Sequence, residues 1–293
     1  MSPAAPSVAC SVGALLGEGP HWSVVEQKLW FVDIKEQLIH RFDPRERKLE
    51  TWAAPAQPGW VLARDGGRLV AGLKSGLHEF DPATGRFAAL AAPETHLPGN
   101  RLNDATVDGA GRIWFGSMDD GEASPSGRVY VHDRGRVTCS AIAPCVITNG
   151  PAFSPDGRIL YHVDTLAGQI TAFDVAEDGS LGAPRPFVRI APSDGFPDGP
   201  TVDSAGCIWI GLYGGWGVRR YSSAGELLEF VRFPVANVTK IAFGGRDLKT
   251  AYATTASKGL SAAEKEAQPN AGDLFEFRVD APGLPTPTIR MRH

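Results

Sequence analysis

Long apolar runs are missing from this sequence; none approaches the roughly 20 residues that a membrane-spanning helix needs. The opening stretch, MSPAAPSVACSVGALLGEGP, has no Lys or Arg ahead of its short apolar run, so it lacks the basic start of a secretory signal. Cysteine is scarce. Cys10, Cys139, Cys145 and Cys207 show neither C-x-x-C pairing nor the density of a disulfide framework, and three of them stand in strand-like contexts where a free thiol behaves as a small buried hydrophobe. Excess positive charge is absent too. With 29 Lys and Arg against 33 Asp and Glu, the formal net charge is −4, and no block of like charge marks a tail for nucleic acid. Windows of helical amphipathic period are missing as well, which removes alternating α/β designs. The one helical candidate, Ser261 to Ala267, is short and reads as a surface insert between strands. The expectation is a soluble, cytoplasmic monomer with no nucleic-acid or membrane partner.

What the chain does have is repetition. A β-branched and aromatic strand recurs as LWFVD at 29–33, LVAGL at 69–73, IWFGS at 113–117, LYHVD at 160–164, IWIGL at 208–212 and AYATT at 251–255. Each copy is followed by a further strand-like run, such as LIHRFD from Leu38 or QITAFD from Gln169. Turns such as Asp81-Pro82-Ala83-Thr84-Gly85 come next, and a weaker fourth strand often closes the unit. Four antiparallel strands per repeat make a propeller blade. The sequence therefore predicts an all-β fold, a single six-bladed β-propeller over 1–293 with four-stranded antiparallel blades. Closing the ring removes exposed edges, so Ser7 to Val12 is expected to pair with strands near 274–290.

Aligned on their own repeat, the first strands share one polar position. GEGPHW, TNGPAF and DGPTVD place Glu18, Asn149 and Asp198 in one register. NDATVD adds Asn103, and KIAFGG adds Thr239 less directly; the second unit offers Gly59 or Trp60. First strands line the axis of a propeller, so Glu18, Asn103, Asn149 and Asp198 are expected to face one another at one end of the channel. Two carboxylates and two amides form a hard, oxygen-rich set suited to a divalent cation. Taken singly, each of these residues also reads as turn chemistry before Gly.

At these positions the sequence resembles the SMP-30/gluconolactonase family, through Gly17-Glu18-Gly19-Pro20-His21-Trp22, Arg101-Leu102-Asn103-Asp104 running on to Gly116-Ser117-Met118, Thr148-Asn149-Gly150-Pro151 and Pro197-Asp198-Gly199. The details around Phe115 to Gly121 and Asn237 to Lys240 are similar to bacterial pentonolactonases such as xylonolactonases. The resemblance implies metal-dependent hydrolysis of a sugar aldonolactone, a pentono- or hexonolactone with xylonolactone favoured. It implies one divalent metal ion (Ca, Zn, Mn, Mg or Fe(II)) held by Glu18, Asn149 and Asp198, with Arg101 and Asn103 on the substrate. The family's acidic substrate contact falls here on Gly121, and Glu122 replaces it by a one-residue shift, with Asp119 and Asp120 nearby. Asp198 is then both ligand and general base.

Other residues carry plainer readings. Arg101 could instead form a rim salt bridge with Asp104 or Asp119. His162 reads as a packed histidine and Lys74 as a strand-end lysine, while Tyr213 and Trp216 suit either a sugar-binding rim or packing. No G-x-S-x-G elbow or Ser-His-Asp order is present, so covalent catalysis has no support. The competing functions are a non-catalytic metal-binding or interaction propeller and a metal-dependent esterase or phosphotriesterase.

Overall fold

Alternating apolar and polar positions, punctuated by Gly, Asp and Pro turns, fold as repeated antiparallel meanders. A computed structural model of the chain describes residues 5–290; residues 1–4 and 291–293 of the expected propeller lie outside the described residues. Among the described residues the strands form six four-stranded antiparallel sheets. The first blade comprises Gly17–Ser23, Lys28–Asp33, Leu38–Asp43 and Lys48–Ala53, and the next four blades follow the same order outward. The sixth is completed across the ring. Val238–Gly244, Thr250–Thr255 and Leu274–Arg278 are joined on the outside by Ser7–Cys10, with Ser7 opposite Glu276. The expected closure is therefore made by the amino-terminal strand in the outermost place.

The first strands of successive blades pack on one another around the axis, and the apolar faces of neighbouring blades bury the core between them. Trp30, Trp60, Trp114 and Trp209 are each at most 2% exposed, so these four tryptophans are core. His162 is buried as expected, and burial lowers its pKa to about 4. The cysteines are all free, but Cys139 is exposed on an outer strand; only Cys145 and Cys207 behave as buried hydrophobes. The short helix Ala262–Ala267 starts with a capping box between Ser261 and Glu264 and buries none of its residues, as a surface insert does. No helix among the described residues is long and apolar enough to cross a membrane.

Turn chemistry and core are joined at two equivalent aspartates. In TVDGAGRIW, Asp108 accepts from backbone N–H groups of Ala110 and Arg112, from Trp114 Nε1 at 2.9 Å and from Arg112 Nε at 2.6 Å. In TVDSAGCIW, Asp203 accepts from Ala205 and Cys207 N–H, from Trp209 Nε1 at 3.0 Å and from Arg220 Nε at 2.9 Å. Each carboxylate thus ties the hairpin turn to the core indole of its own blade. Asp203 is fully buried. Asp203→Ala strands Trp209 Nε1 and the Arg220 charge, and we expect a loss of about 3 kcal/mol in urea unfolding. Ser223→Ala, at an exposed turn position with no side-chain hydrogen bond among the described residues, should cost well under about 1 kcal/mol in the same assay.

Candidate active site

Every first strand slips in register against its neighbour, and at the same height. The slips fall between Glu18 and His21, Pro58 and Trp60, Leu102 and Ala105, Asn149 and Ala152, Pro197 and Pro200, and Val238 and Lys240. A bulge interrupts the ladder and re-aims side chains. It is the structural form of the polar register read from the repeats: Glu18, Asn103, Asn149, Asp198 and Thr239 lie at or beside the slips. In the second blade the position is Gly59. A Cβ there would meet the Asn103 carbonyl oxygen at 2.6 Å, so the backbone of the third blade needs a glycine; Trp60 points into the core.

Glu18, Arg101, Asn103, Asn149, Asp198 and Glu122 line one cavity of about 200 Å3 at this end of the axis. Tyr213, Phe196 and Leu166 supply its apolar wall, and Trp216 is not part of it. A larger cavity of about 340 Å3 lies at the opposite end, beside the segment from Leu284 to Pro287. Its acidic groups are already committed, Asp108 to Trp114 and Arg112 and Asp156 to Ser154, so its size does not make it the chemical site.

Glu18 and Asp198 are each 6% exposed. Glu18 accepts one hydrogen bond, from the Gly19 N–H at 3.0 Å. Among the described residues Asp198 accepts none, and neither carboxylate has a basic side chain within ion-pair distance. Burial first, and then repulsion from Asp104, raise the Glu18 pKa to about 7. Burial first, and then Glu18 and Asp104, raise Asp198 well above the usual carboxylate range. Asn149 donates through Nδ2 to Thr165 Oγ1 at 2.9 Å, and its Oδ1 accepts from Asn103 Nδ2 at 3.1 Å with acceptor capacity left over. Two under-satisfied buried carboxylates and an amide oxygen form a donor set that a hard divalent cation fits, because the cation supplies the positive charge these groups lack. Among the described residues no group of three His, Cys, Asp or Glu converges, so the third donor of such a set would be the amide.

Arg101 is 3% exposed and lies in a fixed frame. Its Nε donates to Asp120 Oδ1 at 3.1 Å, and its Nη1 to the Leu102 carbonyl at 3.2 Å and to Asn103 Oδ1 at 2.6 Å. Nη2 makes no hydrogen bond to the described protein. The carboxylate partner is Asp120, neither Asp104 nor Asp119. Asp119 is turned onto the N–H groups of Gly121, Ala123 and Ser124. Asp120 also takes Lys35 at 2.6 Å and Lys74 at 3.1 Å; although burial alone would raise its pKa, these partners hold it at about 2. Lys74 is thus a rim residue of this network. Glu122, in a left-handed backbone conformation at φ 58°, reaches the cavity mouth and accepts from Lys258 Nζ. Lys258 is held in turn through its carbonyl, which accepts from Tyr213 Oη at 2.5 Å and Asn237 Nδ2 at 3.1 Å.

Sequence reasoning missed Lys35, Lys258 and the roles of Asp120 and Lys240. Their partners lie far off in the chain, and no local spacing signals them.

Fold and site define a class: six-bladed β-propellers that carry paired carboxylates at one end of the axis. The chain belongs to the SMP-30/gluconolactonase/LRE-like family, whose model matches residues 16–257. It is 36% identical to a 6-deoxy-6-sulfogluconolactonase of Pseudomonas putida, over 94% of each chain. It is 33% identical to an L-arabinolactonase of Azospirillum brasilense, covering 92% of this chain and 91% of the relative. Among solved structures, a calcium-binding regucalcin from Agrobacterium tumefaciens superposes with a TM-score of 0.94 at 28% identity, covering 99% of this chain and 98% of that one.

In the cation-free protein the folded state keeps a proton on Glu18 up to pH of about 7, whereas the unfolded chain releases it near the ordinary 4.5. Folding stability from this group is therefore present below about 4.5 and lost as pH rises through about 7. With chelator present, the melting temperature of Glu18→Gln relative to the parent should rise progressively between pH 4.5 and 7.5. A pH-independent difference would refute this titration.

Proposed function

We propose that the chain is a metal-dependent sugar lactonase that opens an aldonolactone with water and releases the free aldonic acid. The observation that carries this reading is the pair of buried, under-satisfied carboxylates, Glu18 and Asp198, set with the Asn149 amide in a cavity whose wall holds Arg101. Relatives named for sugar lactones support the substrate class, and the calcium-binding relative supports a divalent cation. Glu18, Asn149 and Asp198 are the proposed ligands of one Ca, Zn, Mn, Mg or Fe(II) ion. When bound, such an ion supplies Lewis acidity to the ester carbonyl and makes water more acidic.

The protein's own groups divide the remaining work. Asp198 takes a proton from the attacking water as the water oxygen bonds to the carbonyl carbon. The ring C–O bond then breaks, and the departing oxygen takes a proton to become a hydroxyl. Arg101, held on two sides by Asp120 and Asn103, presents Nη2 as a fixed positive donor to the substrate oxygens. Asn103 has both amide hydrogens committed, to the Thr148 carbonyl and to Asn149, and keeps acceptor capacity on Oδ1 for a substrate hydroxyl. Glu122 takes the acidic substrate contact, because it lines the cavity whereas Asp119 and Asp120 do not. A cavity this small suits one sugar ring; among such rings xylonolactone is the proposed case, on the sequence resemblance to pentonolactonases. Four free cysteines fit a reducing cytoplasm.

The test follows acid release from xylono-, arabinono-, galactono- and gluconolactone, with chelator-stripped protein and single metals added back. Hydrolysis well above the spontaneous rate, fastest on xylonolactone, is expected only with metal. Asp198→Asn should lower kcat/KM by at least about 100-fold with an unchanged circular dichroism spectrum. Full activity in the stripped protein, or no acceleration on any lactone, would overturn the proposal.

A further inference from the structure

Directly beside the three proposed ligands, one buried ion pair spans the axis between opposite blades. Lys240 Nζ of the sixth blade lies 2.5 Å from Asp104 Oδ1 of the third, with side chains 9% and 2% exposed. Both partners touch the backbone that carries ligands. Asp104 Oδ2 accepts from the N–H of Gly150, next to Asn149, at 2.8 Å. The Lys240 stem lies on Gly199, next to Asp198, so closely that a Cβ there would come within 2.5 Å of Lys240 Cδ. The pair is therefore close enough to act on the charge of the site, although neither partner lines the cavity itself.

The charged groups nearest the ligands are the acids Glu18, Asp104 and Asp198 and the bases Lys240 and Arg101, with Asp120, Lys35 and Lys74 clustered behind Arg101. Burial is the main influence on Glu18 and Asp198, and Glu18 also raises Asp198; beyond these, Asp104 raises both pKa values while Arg101 and Lys240 lower both, in line with the short distances from the pair to the ligand-bearing backbone.

We propose that the two members of the Asp104–Lys240 pair tune the cation affinity of the site in opposite directions. This rests on the reading of Glu18, Asn149 and Asp198 as ligands. Removing the lysine charge makes the site more negative by one unit, which strengthens cation binding and favours trivalent ions most. Removing the aspartate charge makes it less negative by one unit, which weakens binding. In a buried site of low effective dielectric, a unit charge so close changes affinity by at least about tenfold.

The experiment is calorimetric titration of chelator-stripped protein with Ca2+, Mn2+ and La3+, read as dissociation constants without any substrate. The variants Lys240→Gln and Asp104→Asn each keep a hydrogen-bonding group where the ion pair was. Lys240→Gln should bind Ca2+ at least about tenfold more tightly than the parent, and La3+ by a larger factor still. Asp104→Asn should bind both at least about tenfold more weakly. The double variant, with the charge restored, and Lys240→Arg, with it retained, should each stay within about threefold of the parent. If the lysine variant also weakens binding, the pair is only a brace and the proposal fails; unchanged affinity in both single variants defeats it equally. Should either single variant not fold, the double variant and Lys240→Arg still decide, since a departure of tenfold or more in both overturns charge balance. Absence of any divalent binding by the parent protein would instead remove the ligand reading on which the inference rests.

Discussion

At the axis each blade interrupts its own ladder at the same height, and the candidate site depends on that shared interruption. A strand pleats its side chains alternately to its two faces, which in a blade are the faces packed against its neighbours. Without a bulge, Glu18, Asn149 and Asp198 would have to be accommodated in those apolar interfaces. The register slip turns them toward the channel instead, and six-fold repetition brings residues more than a hundred positions apart into one cavity. Where the side chain is not wanted the position becomes Gly59, because the next blade's carbonyls approach too closely for a Cβ.

Gathering acids at a buried point has an electrostatic cost, and the surroundings of the site can be understood as its management. Asp104 is balanced by Lys240, and Asp120 by Arg101, Lys35 and Lys74. Glu122 is held by Lys258. Of the acids that line the cavity, Glu18 and Asp198 have no cationic side chain within ion-pair distance among the described residues, and the pKa of each is raised, first by burial and then by neighbouring acids. Arg101 draws its rigidity from the same network, since Asp120 and Asn103 fix its plane and leave Nη2 without a hydrogen bond among the described residues. The arginine and the carboxylate pair thus stand at one cavity with different degrees of satisfaction, the first nearly saturated and the second open.

Much of this was legible in the chain because repeats report geometry twice, once as period and once as register. The recurrence of LWFVD-like strands made the blades visible, and the Gly-Pro following Glu18, Asn149 and Asp198 marked the axial position before any fold was in view. Asn103 was placed in the same register, but its task as the link between Arg101 and Asn149 is a matter of hydrogen-bond direction that spacing does not carry. The partner of Arg101 was misread for the same reason. Asp104 and Asp119 were the nearer and more obvious acids, yet Asp104 faces Lys240 across the axis and Asp119 caps its own loop.

The division between sequence and structure follows from the range of the forces involved. Strand alternation, turn dihedrals and the period of the blades are local properties, so the amino-acid order by itself determined the architecture and the identity of the axial ring. Closure by Ser7–Cys10 as the outermost strand, the crossing of Lys240 to Asp104, and the meeting of Lys258 with Glu122 were decided only by the tertiary structure. Each joins groups separated by 136 or more positions. Electrostatic pairing over such separations depends on where the closed ring places the groups, and no local pattern encodes that.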